Sequence, residues 1–207
     1  MQVSEARRIG RSRRYQVLVD GQVVLEADEE VIAQFGLAPG RMLGEDTISE
    51  AQRADQALLA ARAALRLLRF RARSSQELYR ALRARKFSTE VVELTLERLE
   101  QAGLVNDQEL SASLARQLRE RRMGTHLVRQ KMLQIGLDRE LAEATLSALG
   151  EEGELERATA VADKYLARPA TGPSARLRGR LYQHLRRRGF ADHICREVVE
   201  QTVPESE

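Results

Sequence analysis

Arginine and lysine side chains are concentrated in three short segments of this 207-residue chain. The segments recur about fifty residues apart, and they contain almost no carboxylate. Closely spaced guanidinium groups attract a polyanion, because binding releases the counterions that surround its phosphates. These residues therefore predict electrostatic binding to a nucleic acid, or to a protein with an acidic or nucleic-acid-lined groove. The candidate contact residues are Arg71, Arg73, Arg80, Arg83, Arg85, Lys86 (the first basic segment), Arg121, Arg122, Arg129, Lys131 (the second), and Arg186, Arg187 and Arg188 (the third).

The net charge is only +3, so the distribution of charge matters more than its sum. Glu90, Glu93 and Glu97 follow the first basic segment, and Glu140 and Glu143 follow the second. One interpretation is that surface arginines only keep their helices soluble and pair with such carboxylates. Because the segregation repeats, we favour a binding surface. Aromatic residues make up only 4% of the chain, so base stacking is expected to contribute little.

The charged segments are not accompanied by a recognisable catalytic constellation. No two of the histidines His126, His184 and His193 lie four residues apart with a carboxylate beside them, as a helical zinc site requires. The single cysteine, Cys195, excludes an internal disulfide, and its place beside Ile194 is typical of a small core residue. The glycines read as helix stops and not as a phosphate-binding loop. The sequence therefore predicts a protein that is not an enzyme and that needs no cofactor and no metal.

The elements that must position the basic segments also repeat. Apolar residues recur at intervals of four, five, four and five residues, and this apolar ladder is present in three copies. The spacing predicts a short helix, a tight corner and a second helix. Three copies predict stacked helical units that bury their apolar sides against their neighbours. The ladder residues are Leu78, Leu82, Phe87, Val91, Leu96; Val128, Met132, Leu137, Leu141, Leu146; and Leu181, Leu185, Phe190, Ile194 and Val199.

Helix signals around the ladders predict three three-helix units. Residues 49–70 contain no glycine or proline and predict one long helix. The later helices are preceded by side chains that cap helices, Ser74, Ser88, Asn106 and Asp138, and several of them are ended by glycines. We expect unit 1 over residues 47–105, unit 2 over 106–150 and unit 3 over 151–202, with a Pro/Gly loop at 168–174 and a disordered tail at 203–207. The predicted fold is mainly α, with the units forming an elongated, curved rod.

Residues 15–46 predict a small β-containing module ahead of these units. Asp20-Gly21 lies between two apolar runs, which is a strong signal for a hairpin with a type I′ turn. Asp28 is expected to cap a short helix that ends at Gly36, and residues 41–43 are expected to add a third short strand. A hairpin alone is marginally stable in water, so it should pack on the long helix. The Arg-rich residues 1–14 are predicted to form a mobile basic arm.

The chain has no apolar run of the ~18 residues that would span a membrane. Its first residues are basic but lack the apolar run of a signal peptide. We therefore expect a cytoplasmic monomer without a membrane partner.

The pattern over residues 73–107 resembles the RecX family of regulatory proteins. It comprises Arg73-Ser74-x-x-Glu77-Leu78-x-x-x-Leu82, then Lys86-Phe87, then Gly103-Leu104-Val105-Asn106-Asp107. Residues 124–137 are similar to the second unit of that family, and residues 35–43 to the N-terminal extension of its longer members. The resemblance extends over residues 15–200, and the 73–107 pattern is its most specific part.

This resemblance implies an inhibitor of the RecA recombinase. Such a protein docks along the RecA–single-stranded-DNA filament and limits its growth. It thereby damps ATP hydrolysis, strand exchange and the repressor cleavage that starts the SOS response. The implied partners are the RecA nucleoprotein filament and single-stranded DNA, with double-stranded DNA as a second candidate.

A non-catalytic DNA-binding protein, such as a transcriptional regulator acting without RecA, is the alternative. A helix-turn-helix reader concentrates its contacts on one recognition helix. Here the basic residues are spread over three units, which favours docking along a filament.

Overall fold

The computed structural model describes residues 1–150, 153–167 and 174–203. The protein is mainly α-helical with a small β-hairpin-containing module near its N-terminus, as predicted, and that module is a three-stranded sheet. The strands are β1 (Val3–Arg8), β2 (Arg14–Val19) and β3 (Gln22–Asp28). The helices are α1 (Glu29–Phe35), α2 (Glu45–Leu68), α3 (Ser75–Arg83), α4 (Thr89–Gln101), α5 (Asp107–Glu120), α6 (Thr125–Gln134), α7 (Arg139–Ala148), α8 (Glu154–Leu166), α9 (Ser174–Arg187) and α10 (Asp192–Thr202).

Backbone contacts group the chain into two compact bodies. The first body comprises Met1–Arg71 and Leu78–Leu104, and the second comprises Ala72–Glu77 and Val105–Glu207. No described helix is long and apolar enough to cross a membrane.

The predicted hairpin is present as β2 and β3, which pair antiparallel from Val19 opposite Gln22. Asp20 and Gly21 both have positive φ, of 51° and 81°, as a type I′ turn requires. The hairpin packs on α1 and α2 in the core of the first body, as expected from its marginal stability alone.

The mobile arm predicted for residues 1–14 is wrong for residues 3–8, which form β1. This strand pairs antiparallel with β2, and Val3 is only 2% exposed. An unpaired β2 would leave a row of backbone donors and acceptors open at the sheet edge, and β1 satisfies them. The third strand predicted at residues 41–43 is reduced to one bridge between Gln2 and Met42.

The three apolar ladders form cores as predicted. Their residues are buried, except for Phe87, Leu141 and Ile194, which are half-buried. At the corner of each ladder the chain takes a left-handed conformation, at Lys86 (φ 69°), Gly136 (φ 82°) and Gly189 (φ 86°). The three corners are therefore built alike, although only the first uses a residue with a side chain.

The helix starts are capped locally. Asp28 accepts a hydrogen bond from the Glu30 backbone at 3.2 Å, and Ser88 accepts one from Val91 at 3.3 Å. Asp138 does the same for Glu140 at 2.7 Å. These caps lie where the sequence predicts them, because a cap needs only a short polar side chain and the next two or three residues.

Cys195 is fully buried in the core of α8, α9 and α10. Burial raises the pKa of its thiol to about 11, which keeps it protonated near neutral pH. It is a core residue, as predicted.

Part of the sequence prediction falls on residues that the structure does not describe. The Pro/Gly loop at 168–174 lies outside the described residues except for Ser174, which begins α9. Residues 204–207 of the predicted tail also lie outside them. Val203 is 8% exposed and packs on the core of α8, α9 and α10, so the prediction of disorder is wrong for this residue.

Candidate nucleic-acid interface

The start of α3 is held in place by α5 and by the corner between α6 and α7. Ser74 is fully buried, and its Oγ donates to the Ile135 carbonyl while accepting from the Glu77 backbone at 3.0 Å. The Ser75 backbone N–H donates to Asp107 Oδ1 at 2.9 Å. These groups all belong to the second body, and they fix the first turn of α3 within it.

The start of α6 is held in the same way by α8 and by the corner between α9 and α10. The Thr125 backbone N–H donates to Glu154 Oε1 at 3.0 Å, and its hydroxyl donates to Oε2 at 2.8 Å. The Gly124 N–H donates to the Arg188 carbonyl at 2.9 Å, and the His126 N–H to the Gly189 carbonyl at 3.0 Å. An acidic residue at the start of one unit thus caps the middle helix of the preceding unit.

The first basic segment is exposed at the end of α3 and in the corner that follows. α3 buries Leu78 and Leu82, so helical spacing turns Arg80 and Arg83 outward. Arg85 and Lys86 are exposed as well. The Arg83 guanidinium donates to the Phe87 carbonyl, which holds it at the corner.

The two arginines that precede α3 differ in exposure. Arg71 is exposed. Arg73 is half-buried, and its Nη1 lies 4.0 Å from Glu77 Oε1. Arg73 is therefore less available to a ligand than the residues at the corner.

The residues of the second basic segment differ in exposure and in ion pairing, which the sequence alone does not show. Arg121 and Arg122 are exposed after α5, and Lys131 is half-buried on α6. Arg129 forms a two-point ion pair with Glu143, with Nε–Oε1 at 2.6 Å and Nη2–Oε2 at 2.9 Å. This hydrogen bonding lowers the pKa of Glu143. Much of the Arg129 charge is therefore compensated inside the protein.

The third basic segment follows the geometry of the first. Arg186 and Arg187 are exposed, and Arg186 Nη1 donates to the Phe190 carbonyl at 3.3 Å, as Arg83 does at Phe87. Arg188 is half-buried, and its Nη1 donates to the Arg121 carbonyl at 3.2 Å. The second and third segments therefore meet within the second body.

The sequence prediction missed several residues that lie beside the contact between Arg188 and Arg121. A cavity of about 270 Å³ lies beside Arg121 and Arg188, and Lys164, Tyr165 and His184 also line it. No local pattern in the sequence singles these residues out, because they come from different helices. Within the described part of the chain, no His, Cys, Asp and Glu side chains are grouped as metal ligands.

The chain is similar to the RecX proteins. The model of "RecX, first three-helix domain" matches residues 60–99, and that of "RecX, third three-helix domain" matches residues 152–199. A "Regulatory protein RecX" of Listeria monocytogenes is 25% identical over 193 residues, which are 93% of this chain and 72% of that protein. The corresponding protein of Limosilactobacillus reuteri is 26% identical over 196 residues, 94% and 74% of the two chains.

Two solved structures have the same fold. A crystal structure of regulatory protein RecX superposes with a TM-score of 0.72 at 25% identity and covers 99% of both chains. The crystal structure of RecX from Lactobacillus salivarius has a TM-score of 0.64 at 21% identity and covers 72% of this chain and 97% of that one. The repeat fold inferred from the apolar ladders is thereby confirmed.

Proposed function

Because this chain belongs to the RecX family, we propose that it limits the growth of RecA filaments on single-stranded DNA by docking along them through its basic segments. Family membership supports a regulatory role in general. The proposal goes further, in that the protein inhibits ATP hydrolysis, strand exchange and repressor cleavage by RecA.

The observation that carries the proposal is the basic corner after α3. Arg80, Arg83, Arg85 and Lys86 are exposed there, and no described residue forms an ion pair with them. Four uncompensated cations on one short helix and its corner repel one another. Their clustering is unfavourable for an isolated protein and becomes favourable when a polyanion binds.

The corners also present their guanidinium groups in a fixed orientation. Arg83 and Arg186 occupy the same place in two units, and each donates to the carbonyl of the phenylalanine at its corner. A guanidinium that is already oriented loses less side-chain freedom when it contacts a phosphate. A repeated basic corner suits a partner that presents its phosphates repeatedly, as DNA in a filament does.

A charge-reversal experiment tests the proposal. Replacing Arg80, Arg85 and Lys86 together with Glu should abolish inhibition of the DNA-dependent ATP hydrolysis of RecA. Helicity and the melting temperature should stay close to those of the wild type, because these side chains are exposed and contribute no internal ion pair.

The matched control reverses three exposed carboxylates, Glu93, Glu97 and Glu200, to Lys. Glu143 is unsuitable for this purpose because it pairs with Arg129. The control variant should inhibit RecA nearly as well as the wild type. Equal inhibition by the two triple variants would show that the basic corner does not dock on the filament.

The alternative function, DNA binding without RecA, is favoured by the same exposed cations, which fit the phosphates of naked DNA equally well. Co-sedimentation with RecA filaments and with naked DNA at two salt concentrations separates the two. Removing one cation that binds a phosphate should lower the salt slope of binding by about 0.7–0.9. Equal binding to both targets with no effect on RecA would favour the alternative.

A further inference from the structure

We propose that the cavity between α5, α8 and α9 binds one nucleotide of single-stranded DNA, with the base against Tyr165 and the adjoining phosphate among the surrounding cations. The inference rests on the proposed function for its choice of DNA as the polymer. It differs from that function in naming a base contact, which the three basic segments do not provide.

Three of the residues that line the cavity are aromatic or apolar. The rings of Tyr165 and His184 have their centroids 4.7 Å apart and are inclined by 31°. Val161, one turn before Tyr165 on α8, also lines the cavity and is 4% exposed. Tyr165 packs against the core of α8, α9 and α10, which holds its ring in place. A half-buried ring in this setting provides a surface on which any of the four bases can stack.

Four of the residues that line the cavity are cationic. Arg121, Arg122 and Lys164 are exposed, and Arg188 is half-buried. Arg122 has φ 56°, which turns the chain at the end of α5. The hydrogen bond from Arg188 to the Arg121 carbonyl orients the Arg188 guanidinium.

One carboxylate, Glu120, lines the cavity together with four cations, so the net positive charge favours an anionic ligand. Guanidinium and ammonium groups together are suited to a phosphate diester.

The size of the cavity limits the ligand. Its volume of about 270 Å³ is just below the ~300–1,000 Å³ of sites for drug-sized ligands. One nucleotide is therefore the natural unit, and not a longer stretch of DNA. An acidic peptide would satisfy the cations but would leave the Tyr165 and His184 rings without a planar partner. The combination of rings and cations favours a nucleotide.

Fluorescence anisotropy on the full chain tests this inference without RecA. The probes are a labelled six-nucleotide oligothymidylate and an abasic oligonucleotide of equal length and charge. The wild type should bind the oligothymidylate about tenfold more tightly than the abasic probe. Tyr165→Leu should remove this preference, whereas Tyr165→Phe, which keeps the ring, should retain it.

Two further variants provide the controls. Tyr79→Leu makes the same change at a half-buried tyrosine that does not line the cavity, and it should keep the preference. Lys164→Glu should weaken binding of both probes by a similar factor, because it removes charge and no ring.

Several outcomes would overturn the inference. One is equal affinity of the wild type for the two probes, which is decided without any variant. Another is competition by a Phe-containing oligoglutamate peptide as strong as that by oligothymidylate, which would indicate a protein ligand instead.

Assays of RecA ATP hydrolysis with the same proteins keep this inference separate from the proposed function. If the wild type inhibits RecA and the basic-corner variant does not, the proposed function stands even where the base preference is absent. If the base preference is present but RecA is not inhibited, the cavity binds DNA and the proposed function fails.

Discussion

The Glu154 carboxylate caps the helix that begins at Thr125, accepting from its backbone N–H at 3.0 Å and from its hydroxyl at 2.8 Å. The residue that precedes this helix, Gly124, has no side chain with which to cap it. A side chain there would also meet the neighbouring corner, since a Cβ on Gly124 would lie 2.3 Å from Gly189. The cap is therefore supplied by the next unit.

Glu154→Ala should lower the free energy of unfolding by about 1–3 kcal/mol, because it leaves two donors of Thr125 without their acceptor in a largely buried place. Urea denaturation followed by circular dichroism measures the change. Glu156→Ala removes an exposed carboxylate from the same helix turn and should cost less than about 1 kcal/mol. Equal losses in the two variants would contradict the capping role.

Gly124→Ala should lower the free energy of unfolding by about 1–3 kcal/mol. The added methyl would meet the Gly189 and Phe190 backbone at 2.3 Å, and backbone cannot move aside as a flexible side chain can. Gly179→Ala is the control, since a Cβ there meets nothing within 4 Å and alanine is the better helix former. Thermal melting should show the first variant shifted down and the second unchanged or shifted up. A neutral Gly124→Ala would mean that this helix–corner contact is loose.

Asp28 should make the free energy of unfolding depend on pH in the acid range. It is 2% exposed, and hydrogen bonds from the Arg62 guanidinium hold the pKa of Asp28 below its usual 3.8. A carboxyl whose pKa is lower in the folded state than in the unfolded state stabilises the fold. Its full contribution is present at pH values above the unfolded-state pKa. That stabilisation is lost as the pH falls below about 3.8 through the folded-state pKa.

Asp28→Asn should therefore be about 1–3 kcal/mol less stable at pH 7, because a charged hydrogen bond is removed. Below pH 4 its difference from the wild type should shrink. Urea titrations at pH 7, 4 and 3 check this. Asp163→Asn, the same change at an exposed position on α8, should alter the free energy of unfolding at pH 7 by less than about 0.5 kcal/mol. A difference that stayed constant with pH would show that Asp28 titrates normally.

Leu82→Ala should lower the free energy of unfolding by about 2–5 kcal/mol. Leu82 is fully buried, and its truncation leaves a cavity in a ladder core. Leu104→Ala, at a leucine that is 53% exposed, should change the denaturation midpoint little. An unchanged midpoint for Leu82→Ala would contradict the alignment of the ladders.

The sequence by itself determined the elements whose causes are local. The helix starts at Ser88 and Asp138 depend on one polar side chain and the next few backbone N–H groups. The hairpin depends on Asp20-Gly21, and the ladders depend on helical spacing. The three basic segments are also visible locally, because they are runs of one residue type. Strand β1 was missed because its pairing depends on residues farther along the chain, such as Val19 opposite Val3.

Only the tertiary structure decided which charges remain available and which side chains meet. Arg129 is compensated by Glu143, 14 residues away, and Arg188 reaches the Arg121 carbonyl over 67 residues. The cavity that Tyr165 and His184 line with Arg121 and Arg188 forms where residues at the end of α5 meet α8 and α9. Contacts of this kind depend on which helix faces bury their apolar residues against one another. That arrangement is determined by the packing of the whole core and not by neighbouring residues in the chain.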